Sequence, residues 1–84
     1  MNSTSPKSIV ILGSTGSVGR QALEIARALP DRIKVVGLAA GSNAELFAEQ
    51  VAEFHPSIAA LADKNAADRA NQILNGSVLK IHSG

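Results

Sequence analysis

The 84-residue sequence predicts a doubly wound α/β fold, in which helices cover both faces of a parallel sheet. Three observations support this prediction. Short apolar runs rich in β-branched residues alternate with segments of helical periodicity, which is the pattern of strand–helix–strand units. A glycine-rich turn from Gly13 to Gly19 joins the first apolar run to the first helical segment. The only aromatic residues are two phenylalanines, so small aliphatic side chains must fill the core between closely packed layers.

The first strand and the first helix lie on either side of that turn. The run from Ile9 to Leu12 is continuously apolar, which is typical of a strand buried on both faces of a parallel sheet. After the turn, apolar residues recur at helical spacing and form one predicted face, at Val18, Ala22, Ile25, Ala26 and Leu29. Pro30 is expected to end this helix.

The rest of the chain continues the alternation. The predicted elements are a strand over Ile33–Ala39, a helix over Ala44–Phe54, a strand over Ser57–Ala62, a helix over Asn65–Leu74 and a strand over Val78–His82. Ser42 or Asn43 is expected to cap the second helix. Helices of about ten residues between strands imply right-handed crossovers onto a parallel sheet.

This order of elements corresponds to part of a Rossmann-like domain. A complete dinucleotide-binding domain of this type contains two such halves. We therefore expect the chain to be a fragment that covers the first βαβαβ half and starts the second. Residues 1–7 are assigned to a flexible tail, and residues 8–84 to the N-terminal part of the domain.

Composition argues against several classes of function. Eight basic and seven acidic residues give a net charge of +1, which argues against a broad basic face for nucleic acid. The absence of cysteine excludes disulfides, thiolate zinc sites and cysteine nucleophiles within this stretch. No apolar run reaches the ~18 residues of a membrane span, and the N-terminus resembles neither a secretory signal nor a transit peptide. We expect a cytoplasmic protein without nucleic-acid or membrane partners.

The glycine-rich turn has the form GxxGxxG and is the segment most closely tied to chemistry. Gly13 lets the chain leave the strand sharply, Gly16 leaves room for a pyrophosphate beside the backbone, and Gly19 lets the helix lie close to the sheet. N–H groups at the start of the helix then face the phosphates, with help from the helix dipole.

Polar residues in and after the turn refine this prediction. Ser14, Thr15 and Ser17 add hydroxyl donors. A P-loop is excluded because Arg20 and Gln21 stand where that motif has Lys followed by Ser or Thr. The alternative to a phosphate site is a tight strand–helix turn without a ligand.

The end of the second strand indicates which dinucleotide binds. Enzymes that prefer NAD place an Asp or Glu about 20 residues after the glycine motif, where it hydrogen-bonds the ribose 2′-hydroxyl. Ala40, Gly41, Ser42 and Asn43 occupy that place here, and the first acid is Glu45. Because no carboxylate would repel a 2′-phosphate, the sequence favours NADP over NAD. A role for Ser42 and Asn43 as helix caps alone is the other interpretation, and the two roles are compatible.

The other titratable residues are predicted to be structural. Glu45, Glu49 and Glu53 recur at fourfold spacing, which indicates a solvated helix face rather than a metal site. Asp63 and Asp68 are expected to cap a helix start, and neither histidine is assigned a catalytic role. We therefore assign no catalytic residue and no metal ligand to this chain.

Three segments together resemble a known enzyme family. ILGSTGSVG, VVGLAAGSN and AEQVAEFHP follow one another as they do at the N-terminus of 1-deoxy-D-xylulose 5-phosphate reductoisomerase, and the similarity covers residues 8–84. The resemblance implies an NADPH-dependent oxidoreductase of isoprenoid biosynthesis. The family rearranges 1-deoxy-D-xylulose 5-phosphate and reduces the aldehyde intermediate to 2-C-methyl-D-erythritol 4-phosphate.

The resemblance also implies partners for the full-length enzyme. These are a phosphorylated sugar substrate, a second copy of the chain in a homodimer, and a divalent metal ion that holds the substrate oxygens. The metal would be magnesium, manganese or cobalt, with its ligands in later segments. The 84 residues alone are therefore not expected to be catalytic.

Carried over by position, the resemblance assigns a cofactor site in two turns. Residues of the first turn would contact the NADPH pyrophosphate and adjoining ribose: Thr15, Gly16, Ser17 and Val18. Residues of the second would surround the adenosine 2′-phosphate: Gly41, Ser42 and Asn43. The chain departs from the family at Ser42, where many members have Lys or Arg. The departure implies either that the preference for NADPH is weaker or that a residue beyond Gly84 supplies this preference.

Two other functions remain open on the sequence. Another NADP-linked reductase, such as aspartate-semialdehyde dehydrogenase, also begins with a buried strand and a GxxGxxG turn. A nucleotide-sensing domain could bind the cofactor without turning it over. The three functions differ in the segment expected beyond Gly84: an acidic metal cluster, an active-site cysteine, or a regulatory module.

Overall fold

Four parallel strands and three helices make up the part of the chain that the structure, a computed structural model, describes, namely residues 5–75 and 79–83. The elements are β1 Lys7–Leu12, α1 Ser17–Ala28, β2 Ile33–Ala40, α2 Ala44–Phe54, β3 Ile58–Leu61, α3 Lys64–Ile73 and β4 His82–Ser83. The strands form one sheet in the order β1-β2-β3-β4, and every pair is parallel. The predicted α/β fold with alternating strands and helices is confirmed.

All three helices pack on one face of the sheet. Each strand pairs with the next one along the chain, and right-handed crossovers that step in one direction leave their helices on the same side. Leu38 and Ala59 are neighbours across β2 and β3, and both are buried. They belong to one core with Leu23, Phe47 and Ala70, which come from the three helices in turn.

The opposite face of the sheet is open within the described residues. Val10 is 58% exposed and Ile58 is 56% exposed, although both sit in strands. The prediction that the first strand is buried on both faces is therefore wrong for the described residues, since Ile11 alone is buried in β1. The reason is topological: in a doubly wound sheet, the second helical layer comes from connections that run the other way.

Helix α1 also differs from its predicted apolar face. Gly19, Leu23 and Ala26 are its buried residues, and their spacing of four and three places them along one side of the helix. Val18 is 80% exposed, and Ile25 is exposed as well. The predicted face therefore divides into a buried part and a flank that no described residue covers.

The ends of the chain show two shifted boundaries. β1 begins at Lys7, inside the predicted tail, where the Lys7 N–H donates to the Arg32 carbonyl at 2.9 Å. β4 covers His82–Ser83, at the end of the predicted strand. Val78 and residues 1–4 lie outside the described residues. Among the described residues, no helix is long and apolar enough to cross a membrane.

Candidate functional site

Two turns lie side by side at the carboxyl edge of the sheet. Leu12 and Ala39 are register partners at the ends of β1 and β2. The N–H of Ser14 donates to the carbonyl of Ala39 at 3.0 Å, which ties the first turn to the end of β2. The structure thus brings residues 15–18 and residues 41–43 to the same edge, the place where open α/β sheets bind ligands.

Two glycines give the first turn its shape. Gly13 has a φ of +69°, in the left-handed region that side chains disfavour. A Cβ on Gly19 would lie 2.1 Å from the Gly13 carbonyl oxygen and 2.7 Å from Cα of Ser14. Helix α1 can therefore start against the turn only because residue 19 has no side chain. The close packing predicted for Gly19 is confirmed.

The start of α1 is open to solvent. Gly16 is the N-cap residue, and no side chain caps the first helical turn. A Cβ on Gly16 would meet one atom within 4 Å, the Gly13 carbonyl oxygen at 3.4 Å. Gly16, Ser17 and Val18 are exposed, and Thr15 is half-buried. The first N–H groups of a helix have no acceptor within the helix, so this surface suits an anion.

Ser14 does not take the role that the sequence suggested. The residue is completely buried, and its Oγ has no hydrogen-bond partner among the described residues. The hydroxyl is therefore absent from the exposed surface of the turn, where Thr15 and Ser17 remain. The Ser14 carbonyl instead accepts a hydrogen bond at 2.8 Å from Nε2 of Gln50, which lies 36 residues later in α2.

The second turn combines exposure with a helix cap. Gly41, Ser42 and Asn43 are all exposed. Oδ1 of Asn43 accepts a hydrogen bond from the Leu46 N–H at 3.2 Å and caps α2. The predicted capping is thus confirmed at Asn43, which leaves the Ser42 hydroxyl outside the cap.

The turn after β3 supports the second turn from its other side. The N–H of Asp63 donates to the Gly41 carbonyl at 3.1 Å. The Asp63 side chain accepts a hydrogen bond from the Asn65 N–H at 2.9 Å, which confirms its predicted role as a helix cap. The same prediction is wrong for Asp68, which lies within α3 and pairs with Lys64 at 3.0 Å. The backbone of the second turn is therefore held by a neighbouring loop while its polar groups stay accessible.

Two of the three glutamates of α2, Glu45 and Glu53, are paired with arginines on the surface. The Arg69 side chain hydrogen-bonds Glu45 at 3.0 Å, and this bond lowers the pKa of the Glu45 carboxyl. A hydrogen bond from Arg27 likewise lowers the pKa of Glu53, and the pKa of Arg27 is raised in turn. Glu45, Glu49 and Glu53 are all exposed, which confirms the predicted solvated face. Within the described residues no group of three metal-ligating side chains occurs.

Gln50 is a candidate that the sequence analysis did not single out. It lies on α2 between Phe47 and Phe54, three and four residues away, and the other buried residues of this helix are all apolar. A buried polar residue on such a side needs a partner, and that requirement was the available signal.

Known proteins match almost the whole of this chain. The model of the 1-deoxy-D-xylulose 5-phosphate reductoisomerase family matches residues 9–84. The reductoisomerase of Thermodesulfovibrio yellowstonii is 47% identical over 79 residues, which cover 93% of this chain and 21% of the relative. That of Pelotomaculum thermopropionicum is 51% identical over 71 residues, which cover 84% of this chain and 18% of the relative. The chain thus spans about a fifth of the length of these relatives.

Solved structures with the same fold lead to the same family. The Zymomonas mobilis reductoisomerase in complex with NADPH has a TM-score of 0.85 and 28% identity, over 94% of this chain and 21% of that one. A reductoisomerase in complex with magnesium has a TM-score of 0.86 and 29% identity, over 95% of this chain and 20% of that one. On this match of family model, sequence and fold, the chain belongs to the 1-deoxy-D-xylulose 5-phosphate reductoisomerase family.

Proposed function

We propose that residues 8–84 form the N-terminal part of the NADPH-binding domain of a 1-deoxy-D-xylulose 5-phosphate reductoisomerase. The observation that carries the proposal is that two turns with mostly exposed residues, 15–18 and 41–43, lie side by side at the carboxyl edge of a parallel sheet. The full-length enzyme would isomerise its phosphorylated sugar and reduce the intermediate to 2-C-methyl-D-erythritol 4-phosphate. NADPH supplies the hydride for that reduction when it is bound.

The first turn would hold the pyrophosphate and the adjoining ribose. Its contribution is the backbone N–H groups of Thr15, Ser17 and Val18, supplemented by the two hydroxyls, whereas the Gly16 N–H donates to the Gly13 carbonyl at 3.0 Å within the turn. The open space beside Gly16 supports this role, since a bound phosphate can approach the main chain there.

The second turn would hold the adenosine 2′-phosphate. The Ser42 hydroxyl is free of the helix cap, and Asn43 keeps its Nδ2 group as a donor while Oδ1 caps α2. The nearest acid along the chain, Glu45, is paired with Arg69. The turn therefore presents donors to the phosphate, and the two carboxylates near it accept hydrogen bonds, Glu45 from Arg69 and Asp63 from the Asn65 N–H.

The divalent metal is assigned to other parts of the full-length protein. The described residues offer no group of three side chains that could hold a metal ion. We propose that magnesium, manganese or cobalt is held by carboxylates outside this segment. The relative that was solved with magnesium supports a divalent ion.

The remaining assignments concern the setting of the enzyme. We propose a cytoplasmic homodimer that binds neither nucleic acid nor membranes. The net charge of +1 gives little electrostatic attraction for nucleic acid, and the family resemblance supports the dimer.

Turnover by the full-length protein tests the proposal. We expect oxidation of NADPH, followed at the nicotinamide absorbance band, when 1-deoxy-D-xylulose 5-phosphate and magnesium or manganese are both present. Binding of NADPH without turnover of this sugar would instead support a nucleotide-sensing domain. Oxidation of aspartate semialdehyde with NADP would support the dehydrogenase alternative.

Substitutions of Ser42 test the 2′-phosphate site. Ser42→Asp places a like charge beside the phosphate, so NADPH affinity should fall about tenfold or more while NADH affinity is kept, on the scale of one charged contact of ~1–3 kcal/mol. Ser42→Lys should tighten NADPH selectively. We would measure the dissociation constants of both cofactors for the full-length wild type and both variants. The ratio of NADPH affinity to NADH affinity then tests whether Ser42 faces the 2′-phosphate.

The Ser42 pair carries its own control for helix capping. Asp is a good cap and Lys is a poor one, whereas α2 is capped by Asn43. A capping role for Ser42 would therefore change the melting temperature and leave the NADPH-to-NADH ratio alone. An unchanged ratio in both variants would remove Ser42 from the site.

A further inference from the structure

We infer that Gln50 is a positioning residue that orients the first cofactor turn, a role that rests on the proposed binding of a dinucleotide there. The side chain reaches from α2 to the main chain of that turn, 36 residues earlier, and bonds it at 2.8 Å. Gln50 itself is 6% exposed, so water does not compete freely for this hydrogen bond.

The peptide unit between Ser14 and Thr15 is the part that Gln50 controls. The Ser14 carbonyl accepts a hydrogen bond from the side-chain amide of Gln50. The peptide bond between Ser14 and Thr15 is trans, like all those in the described residues. In a planar trans peptide, the carbonyl and the next N–H point in opposite directions. A carbonyl held toward Gln50 therefore aims the Thr15 N–H the other way, and Thr15 is a proposed pyrophosphate contact.

Both ends of Ser14 are restrained, so the orientation is well defined. Its N–H is bonded to the carbonyl of Ala39 in β2, and its carbonyl is bonded to Gln50 in α2. Helix α2 begins directly after the second turn, where Asn43 caps it. One helix thus carries the second turn at its start and holds the first turn through Gln50, so the spacing between the two turns is fixed by α2.

The hydrogen bonding of Gln50 favours positioning over stabilisation. Its Oε1 atom is buried without a hydrogen-bond partner among the described residues, as is the Oγ atom of Ser14. A buried unpaired oxygen destabilises a fold, so an apolar side chain of similar length would pack at this position at least as well as glutamine does. What an apolar side chain cannot supply is the donor to the Ser14 carbonyl.

Gln50→Met in the full-length protein tests this inference, because Met keeps the length of the side chain and removes the donor. We expect the dissociation constant for NADPH, measured by calorimetry, to rise about tenfold, the scale of one buried hydrogen bond. The KM for NADPH should rise by a similar factor, with kcat and the KM for the sugar unchanged. NADH binding should weaken by the same factor, because both cofactors contain the pyrophosphate. The Gln50 variant should therefore leave the NADPH-to-NADH affinity ratio unchanged, whereas the Ser42 variants should change it.

The matched control is Gln72→Met, the same substitution at an exposed glutamine of α3, which should leave both dissociation constants at their wild-type values. Gln50→Leu is a second test variant, which also replaces the donor with an apolar side chain, and it serves if Gln50→Met fails to fold. A lower melting temperature with unchanged cofactor affinity would show a purely structural role and overturn the inference. Failure of the wild-type protein to bind NADPH would overturn the proposed function and this inference together.

Discussion

Replacing Gly19 with alanine is expected to destabilise the protein by more than ~3 kcal/mol, a large part of the stability of an ordinary domain. The new Cβ would lie 2.1 Å from the Gly13 carbonyl oxygen and 2.7 Å from Cα of Ser14. Both are main-chain atoms of a turn that is bonded to β2 and α2, so neither can move aside alone. Helix α1 would have to retreat, which would loosen the packing of Leu23 and Ala26 in the core.

Thermal unfolding of the full-length variant measures this effect, and Gly41→Ala is its control. A Cβ on Gly41 would meet no atom within 4 Å, and its φ lies outside the left-handed region, so its melting temperature should stay close to that of wild type. Helix propensity alone predicts the opposite sign at residue 19, since alanine is favoured over glycine within a helix by ~1 kcal/mol. A Gly19→Ala protein that melts at or above the wild-type temperature would contradict the close approach.

Gly16→Val is expected to abolish NADPH binding while the fold persists. The branched side chain would fill the open space beside the start of α1, where the pyrophosphate is proposed to lie. The fold has room for it, because the nearest atom to the new Cβ is the Gly13 carbonyl oxygen at 3.4 Å. The backbone of residue 16 is extended, with φ −84° and ψ 175°, a conformation that valine adopts readily. Loss of the glycine cap should cost about 1 kcal/mol of stability.

Calorimetry with NADPH decides the outcome, and we expect affinity to fall more than ~100-fold, as steric exclusion of a phosphate would require. Gly16→Ala is a graded control, whose single methyl group should weaken binding less than valine does. Melting curves must accompany both titrations to show that the variants are folded. NADPH affinity that is unchanged in a folded Gly16→Val protein would mean that this turn does not face the phosphates.

The order of the elements and the position of the two turns could be predicted because their signals are local. Helix α2 has the predicted bounds, Ala44–Phe54, and Asn43 caps it as one of two residues expected to do so. Periodicity, capping residues and glycine spacing act over a few neighbouring residues, so they can be read along the chain. Parallel strands joined by helices then bring their carboxyl ends to one edge, which places residues 15–18 beside residues 41–43.

Tertiary structure decided what depends on residues distant in sequence. Whether Val10 and Val18 are buried depends on which layers cover the sheet and α1, and their apolar character alone predicted burial that the described residues do not provide. The direction of the Ser14 side chain and the contact of its carbonyl with Gln50 required two elements 36 residues apart to be packed together. The sequence by itself determined an α/β fold with a glycine-rich turn, because those features arise from neighbouring residues. The orientation of that turn depends on hydrogen bonds between separate elements, which exist only once the chain has folded.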